Sequence, residues 1–216
     1  MKRPALIIFF VLFFDQALKL WIKTHMYLGQ EFRIFDWFII HYTENNGMAF
    51  GYEFGGISGK LFLSIFRIIA SAFIGFYLFR LIRKKAHSGL IVCFSLIFAG
   101  AIGNIIDSAF YGIIFSEEVD GLSQLFSPLG GYSSFLQGRV VDMFYFPLVN
   151  TQFPHWLPII GGQPFQFFRP VFNVADSSIT IGVILFIIFQ KKFVEKAKVE
   201  DLTDSQTEAI KKDILE

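Results

Sequence analysis

Four long apolar runs, separated by polar, glycine-rich or basic stretches, set the pattern of this chain. They lie at about 4–24, 60–82, 89–111 and 171–190. At ~1.5 Å per residue each run is long enough to cross a hydrocarbon layer of ~30 Å, which predicts four membrane-spanning helices. Between the first two, residues 31–42 are rich in aromatic and β-branched side chains with partial alternation, which predicts strands. Asn45-Asn46-Gly47 then signals a turn. The long connection 112–170 holds two Gly/Ser/Pro-rich stretches, 127–134 and 154–164, and between them residues 139–148 read as a strand. Past 190 the chain turns polar, and Ser205 followed by Glu208 is a capping-box pattern that predicts a short solvated helix without chemistry.

Charge placement orients the spans. Basic residues flank the first run (Lys2, Arg3), the second–third connection (Arg80, Arg83, Lys84, Lys85) and the end of the fourth (Lys191, Lys192, Lys196, Lys198). The other two connections carry acids, among them Glu31, Asp36, Glu44, Glu117, Glu118 and Asp120. By the positive-inside rule both termini are cytoplasmic, and loops 25–57 and 112–170 lie outside. The expected fold is an all-α polytopic membrane protein: one embedded domain over 1–190, a four-helix bundle with strand-bearing loops on its outer face, and a cytoplasmic tail over 191–216. A basic start before an apolar run also fits a secretory leader, but the small-x-small cleavage pattern is missing around Ala17-Leu18-Lys19, so the first run reads as an uncleaved helix. Ala99 with Gly103, and Ser178 with Gly182, are small pairs four apart that suit close helix packing in lipid.

Composition narrows the function. The 216 residues are 54% hydrophobic and 17% charged, against about 25% charged in a soluble domain. A net charge of +1 excludes a strongly basic nucleic-acid binder. Cys93 stands alone inside an apolar run, and the four His are scattered without ligand spacing, so no metal and no cofactor is expected. No glycine-rich loop carries a phosphate-binding Lys, which argues against nucleotide use.

The informative residues are polar ones within apolar runs. Asp176 opens the fourth run in Phe172-Asn173-Val174-Ala175-Asp176-Ser177-Ser178. A carboxylate at the bilayer centre costs on the order of 3 kcal/mol, so it predicts a functional site with a partner. Asp142, in Gly138-Arg139-Val140-Val141-Asp142, is the proposed partner. Asp176 falls roughly 22 Å from the inner end of its helix, Asn104 and Asp107 roughly 22–27 Å, and Asp15 roughly 18 Å. All converge on the outer half of the bilayer. Two carboxylates brought close share a proton, and can then serve as acid and base in amide hydrolysis. Asn173 precedes Asp176 by three residues, as Asn104 precedes Asp107, so each amide shares a helix face with a carboxylate and can fix it. Asp15 and Lys19 are one turn apart and suit either mutual pairing or a role in the site. A small proton- or ion-coupled transporter is the alternative use of such carboxylates, although no internal repeat supports it.

Four segments, in this order, resemble the lipoprotein signal peptidase (signal peptidase II) family over about residues 5–190. They are Asp15-Gln16-x-x-Lys19; Asn45-Asn46-Gly47-Met48-Ala49-Phe50-Gly51; Gly103-Asn104-Ile105-Ile106-Asp107 with Gly138-x-Val140-Val141-Asp142; and Phe172-Asn173-x-Ala175-Asp176-Ser177. The resemblance implies an intramembrane aspartic endopeptidase of the bacterial inner membrane, a monomer, with Asp142 and Asp176 as the catalytic pair. It places Asp15, Lys19, Asn45, Asn104, Asp107 and Asn173 as lining or bracing residues. It further implies a prolipoprotein substrate whose lipobox Cys carries diacylglycerol, cleavage just before that Cys, and a small β-cradle in the first outer loop. Two features depart from the family pattern. Ser108 stands where an Arg usually follows the Asp, with Arg139 as a candidate nearby charge, and the loop between Asp142 and Asp176 is longer, which suggests a role in substrate access.

Overall fold

The computed structural model describes residues 2–46, 56–117, 121–167 and 169–193. The Gly47–Gly51 part of the second motif and the helix expected around Ser205 lie outside the described residues. Four apolar spans are present: α1 (Lys2–His25), α2 (Gly56–Arg83), a composite third span (Ser88–Ile114) and α5 (Val174–Phe193). The third consists of α3 (Ser88–Ile106), a π-helical turn (Asp107–Tyr111) and a single-turn α4 (Gly112–Ile114). The expected bundle with a small sheet is what forms.

The helices are polar inside and apolar outside. On α1, Asp15, Lys19, Ile22 and Lys23 are buried, while Phe9, Phe10, Phe13 and Phe14 are exposed. The buried positions recur at three- and four-residue spacing and make one stripe. A membrane helix has apolar solvent around it, so its phenylalanines face outward and its few charges must find partners within the bundle.

Close backbone contact joins α3 to α5. A Cβ on Gly100 would sit 2.2 Å from the Ala175 carbonyl oxygen, and one on Gly103 would sit 2.7 Å from an Asp15 carboxylate oxygen. Glycine is what lets three helices meet at this point. Ser178 adds a hydrogen bond from its Oγ to the Leu96 carbonyl, 2.8 Å.

The sheet caps one end of the bundle. β1 (Glu31–Phe35), β2 (Phe38–Asn45), β3 (Val140–Tyr145) and β6 (Val171–Phe172) lie in that spatial order, all antiparallel. Thr43 is opposite Asp142, and Phe144 is opposite Phe172. A separate hairpin joins β4 (Val149–Gln152) to β5 (Pro164–Phe167). Alternation along β3 sends Val141 and Met143 into a core with Ile22, Met26, Tyr42, Tyr111 and Phe115, against which Phe144 also packs, and leaves Asp142 on the opposite face.

The last span starts at Val174, three residues later than the hydrophobic run suggested. Pro170 favours an extended chain before it, and Val171–Phe172 takes the free edge of β3. Asn173 then ends the strand and caps the helix. This one junction sets the position of Asp176 relative to Asp142.

Candidate active site

At the start of α5, Asn173 and Asp176 cap each other. The Asp176 N–H donates to Asn173 Oδ1 at 2.9 Å, and the Asn173 N–H donates to Asp176 Oδ2 at 3.3 Å. This is the reciprocal N-terminal capping arrangement, with the acid at the third helical position. It satisfies two backbone donors that would otherwise be stranded, and it fixes the Asp176 carboxylate.

Asn173 also reaches across to β3. Its Nδ2 donates to Asp142 Oδ1 at 2.7 Å and to the Val141 carbonyl at 3.2 Å. The other oxygen of Asp142 accepts from Asn45 Nδ2, at the end of β2. One asparagine therefore touches both carboxylates. Asp176 Oδ1 accepts from Asn104 Nδ2 at 2.8 Å. Burial first, then the neighbouring charge of Asp176, push the Asp142 carboxyl up to about 7, against the pull of Lys19 and the donors Asn45 and Asn173.

Beneath this pair lies a second layer centred on Lys19, which is fully buried. Its ammonium has three protons and three acceptors: Asp15 Oδ2 at 2.9 Å, Asp107 Oδ2 at 2.8 Å and Asn104 Oδ1 at 3.0 Å. Asp15 Oδ1 in turn accepts the Ala175 N–H at 2.8 Å, so α1 supplies another cap for α5. Asp107 accepts from Gln16 Nε2 at 3.0 Å and from the Val141 N–H at 3.3 Å, which ties α3 to β3. The π-helical turn lets Tyr111 join the same face, where its hydroxyl donates to Gln16 Oε1 at 3.2 Å. Gly138 sits against the turn so closely that a Cβ would lie 2.1 Å from the Asp107 carbonyl oxygen. Among the described residues no group of His, Cys, Asp and Glu has metal-binding geometry.

The cluster joins Asp142, Asp176, Asn45, Asn104, Asn173, Asp15, Lys19 and Asp107, all singled out in the sequence. Arg139 belongs elsewhere. Its guanidinium pairs with Glu44 at 3.3 Å and Glu117 at 3.7 Å, and stacks over Tyr132. Glu44 is also bound by Lys23 and by the Tyr42 hydroxyl. Burial would raise the Glu44 carboxyl, but Lys23, then Tyr42 and Arg139, outweigh it and hold Glu44 below its ordinary value. Ser108 brings no charge: its hydroxyl donates back to the Asn104 carbonyl at 3.0 Å.

The cation that the sequence reading overlooked is Arg67. It is half-buried on α2, on the face that also buries Ser64 and Ser71, and its charge bears on Asp176, Asp142 and Asp107 in that order. A lone Arg about two turns into an apolar span carries the same signal as Asp176, and would have been found by it. Gln16 was visible within its motif, but its contacts with both Asp15 and Asp107 depend on how α1 meets α3.

Four apolar spans with a hydrogen-bonded carboxylate pair at one end define a multi-pass membrane protein. Residues 7–191 match the family model described as Signal peptidase (SPase) II. The chain is 53% identical over 188 residues to the lipoprotein signal peptidase of Porphyromonas gingivalis (strain ATCC 33277), covering 87% of this chain and 82% of the relative. It is 38% identical over 200 residues to that of Amoebophilus asiaticus (89% and 80%), and 34% identical over 202 residues to that of Staphylococcus aureus strain MRSA252 (91% and 93%). A solved bacterial membrane enzyme shares the fold with a TM-score of 0.58 and 31% identity, covering 89% of each chain. A second has a TM-score of 0.55 at 31% identity, covering 87% of this chain and 92% of its own. The chain belongs to the signal peptidase II family. That membership makes it a protease of bacterial membranes and removes the transporter alternative.

Proposed function

We propose that this protein is an aspartic endopeptidase that removes the signal peptide from diacylglyceryl-modified prolipoproteins, cutting just before the lipidated Cys. The observation that carries the reading is that the single residue Asn173 joins Asp142 and Asp176: its side-chain amide donates to the Asp142 carboxylate and its backbone N–H to that of Asp176. The names of the relatives supply the substrate class. Both termini are taken as cytoplasmic on the distribution of Lys and Arg, which puts the sheet end and the carboxylates toward the outer face.

The chemistry follows from the pair sharing one proton. Asp142, raised to about 7, holds that proton near neutrality. A water between them loses a proton to Asp176 as its oxygen attacks the scissile carbonyl carbon. Asp142 meanwhile donates to the carbonyl oxygen. In the next step the C–N bond breaks, the leaving nitrogen takes the proton gained by Asp176, and a hydroxyl proton of the diol returns to Asp142 as the new carboxyl forms. The new carboxyl terminus leaves with the signal peptide, and the amino terminus remains on the lipidated Cys. Asn104 and Asn173 hold the two carboxyls in register through this exchange. Lys19 and Arg67 offset the negative charge of Asp15, Asp107 and the ionised member of the pair.

The test is mass spectrometry of the products from a synthetic lipobox peptide with and without diacylglycerol on its Cys. The expected outcome is one cut, directly before Cys, in the lipidated peptide alone. Equal cleavage of both peptides, or a cut at another bond, would overturn the substrate assignment.

A further inference from the structure

At the opposite end of the bundle from the sheet, the structure holds a cavity of about 890 Å³. It lies where the ends of α1, the α2–α3 connection and α5 meet. Lys2 and Arg3 line it from α1, Lys85 and His87 from the connection, and Lys192 from α5. No carboxylate is among the described residues that line it. Apart from Ser88 the rest of the wall is apolar, formed chiefly by Ile7, Ile82, Leu185 and Phe189. The volume is in the upper part of the range usual for small-ligand sites, roughly 300–1,000 Å³.

Helix packing alone does not call for this combination. A cavity in a bundle core is ordinarily apolar, and basic residues kept only for topology need no shared recess. Here four permanent cations from three elements open onto one space with a greasy floor, at the basic ends of the spans, where the positive-inside rule puts lipid headgroups. Basic pockets between spans at such a level suit anionic headgroups. A soluble anion would satisfy the cations and leave the floor uncovered, whereas a phospholipid covers both.

We propose that this cavity binds an anionic phospholipid of the adjoining leaflet. The phosphate is held among Lys2, Arg3, Lys85 and Lys192, and an acyl chain lies along Ile7, Ile82, Leu185 and Phe189. The lipid would tie together the ends of the same spans whose other ends carry Lys19, Asn104 and Asp176. It is a structural ligand, remote from the carboxylate pair.

Native mass spectrometry and thermal unfolding of the full chain in mild detergent test this, with phosphatidylglycerol, phosphatidylcholine or inorganic phosphate added at equal concentration. Phosphatidylglycerol is expected to bind at least about tenfold better than phosphatidylcholine and to raise the unfolding temperature, with inorganic phosphate giving no such rise. The Lys85→Gln/Lys192→Gln variant is expected to lose that preference while cleaving substrate in detergent at the wild-type rate, and Lys85→Arg/Lys192→Arg to keep it. Equal binding of the two lipids by the wild type would overturn the proposal without any variant. So would a rise with phosphate equal to that with phosphatidylglycerol, or an undiminished preference in the Gln variant.

Discussion

Lys19 shows how a charge survives inside a membrane bundle. Each of its three protons has an acceptor, two of them carboxylates, and no surface of the side chain is exposed. Lys19→Met would leave Asp15 and Asp107 buried without their cation, a loss of about 3–5 kcal/mol for breaking a buried pair on one side. Unfolding in detergent should show this as a large drop in melting temperature, and a drop within experimental error would contradict the assigned network. Arg67 adds a second cation. Its charge favours the ionised carboxyls, so Arg67→Gln should move the whole pH–activity profile to higher pH, while Arg67→Lys keeps it in place. The groups that share this field are Asp15 and Lys19 on α1, Asp107 on α3, Asp142 on β3 and Asp176 on α5. A purely structural Arg67 would lower activity without moving the profile. In the wild type, activity should decline as pH rises through about 7, where Asp142 gives up the proton of the pair. A rate that keeps rising to pH 9 would show that this proton is not needed. At this scale the sequence was informative wherever a polar side chain interrupted an apolar run, as at Asp15, Lys19, Asn104 and Asp176. Arg139, close in sequence to Asp142, lies at the strand end, where Glu44 and Glu117 take up its charge.

Among the elements, the α3–α5 contact and the β3–β6 pairing place the site. Gly100→Ala would drive a methyl group into the Ala175 carbonyl, a backbone atom at 2.2 Å that cannot rotate away. Gly75→Ala meets only the Phe98 ring edge at 2.7 Å, which can swing aside. The first substitution should abolish most cleavage and lower the melting temperature markedly, and the second should do far less; equal effects would mean the α3–α5 contact is not critical. The β4–β5 hairpin presents Trp156 and Ile159 at 79% and 95% exposure. Replacing residues 150–162 with a short turn should raise KM several-fold with little change in kcat, and an unchanged KM for every substrate would sink a role in substrate access. The helices were legible because twenty apolar residues in a row have few other uses. The two-residue β6, the π-helical turn and the β4–β5 pairing were not, because each is defined by partners distant in sequence. A Val-Phe pair becomes a strand only because β3 offers it an edge.

Over the whole molecule, polarity is inverted relative to a soluble protein. Phe62, Phe66, Phe73 and Phe76 of α2 face outward, and the buried charged groups gather at the sheet end of the bundle. The four spans and their order could be read from hydropathy and basic flanks, and the family from motifs spread over three spans and two loops. How those motifs converge could not, since it depends on Asn173 closing the gap between a strand and a helix. The most direct test of the account is gel-shift cleavage of a purified diacylglyceryl-modified prolipoprotein by the wild type, Asp142→Asn and Asp176→Asn, each confirmed folded. The wild type is expected to cleave, and each variant to lose about a hundred- to ten-thousand-fold in rate with substrate binding retained. Near-normal cleavage by either variant would contradict it.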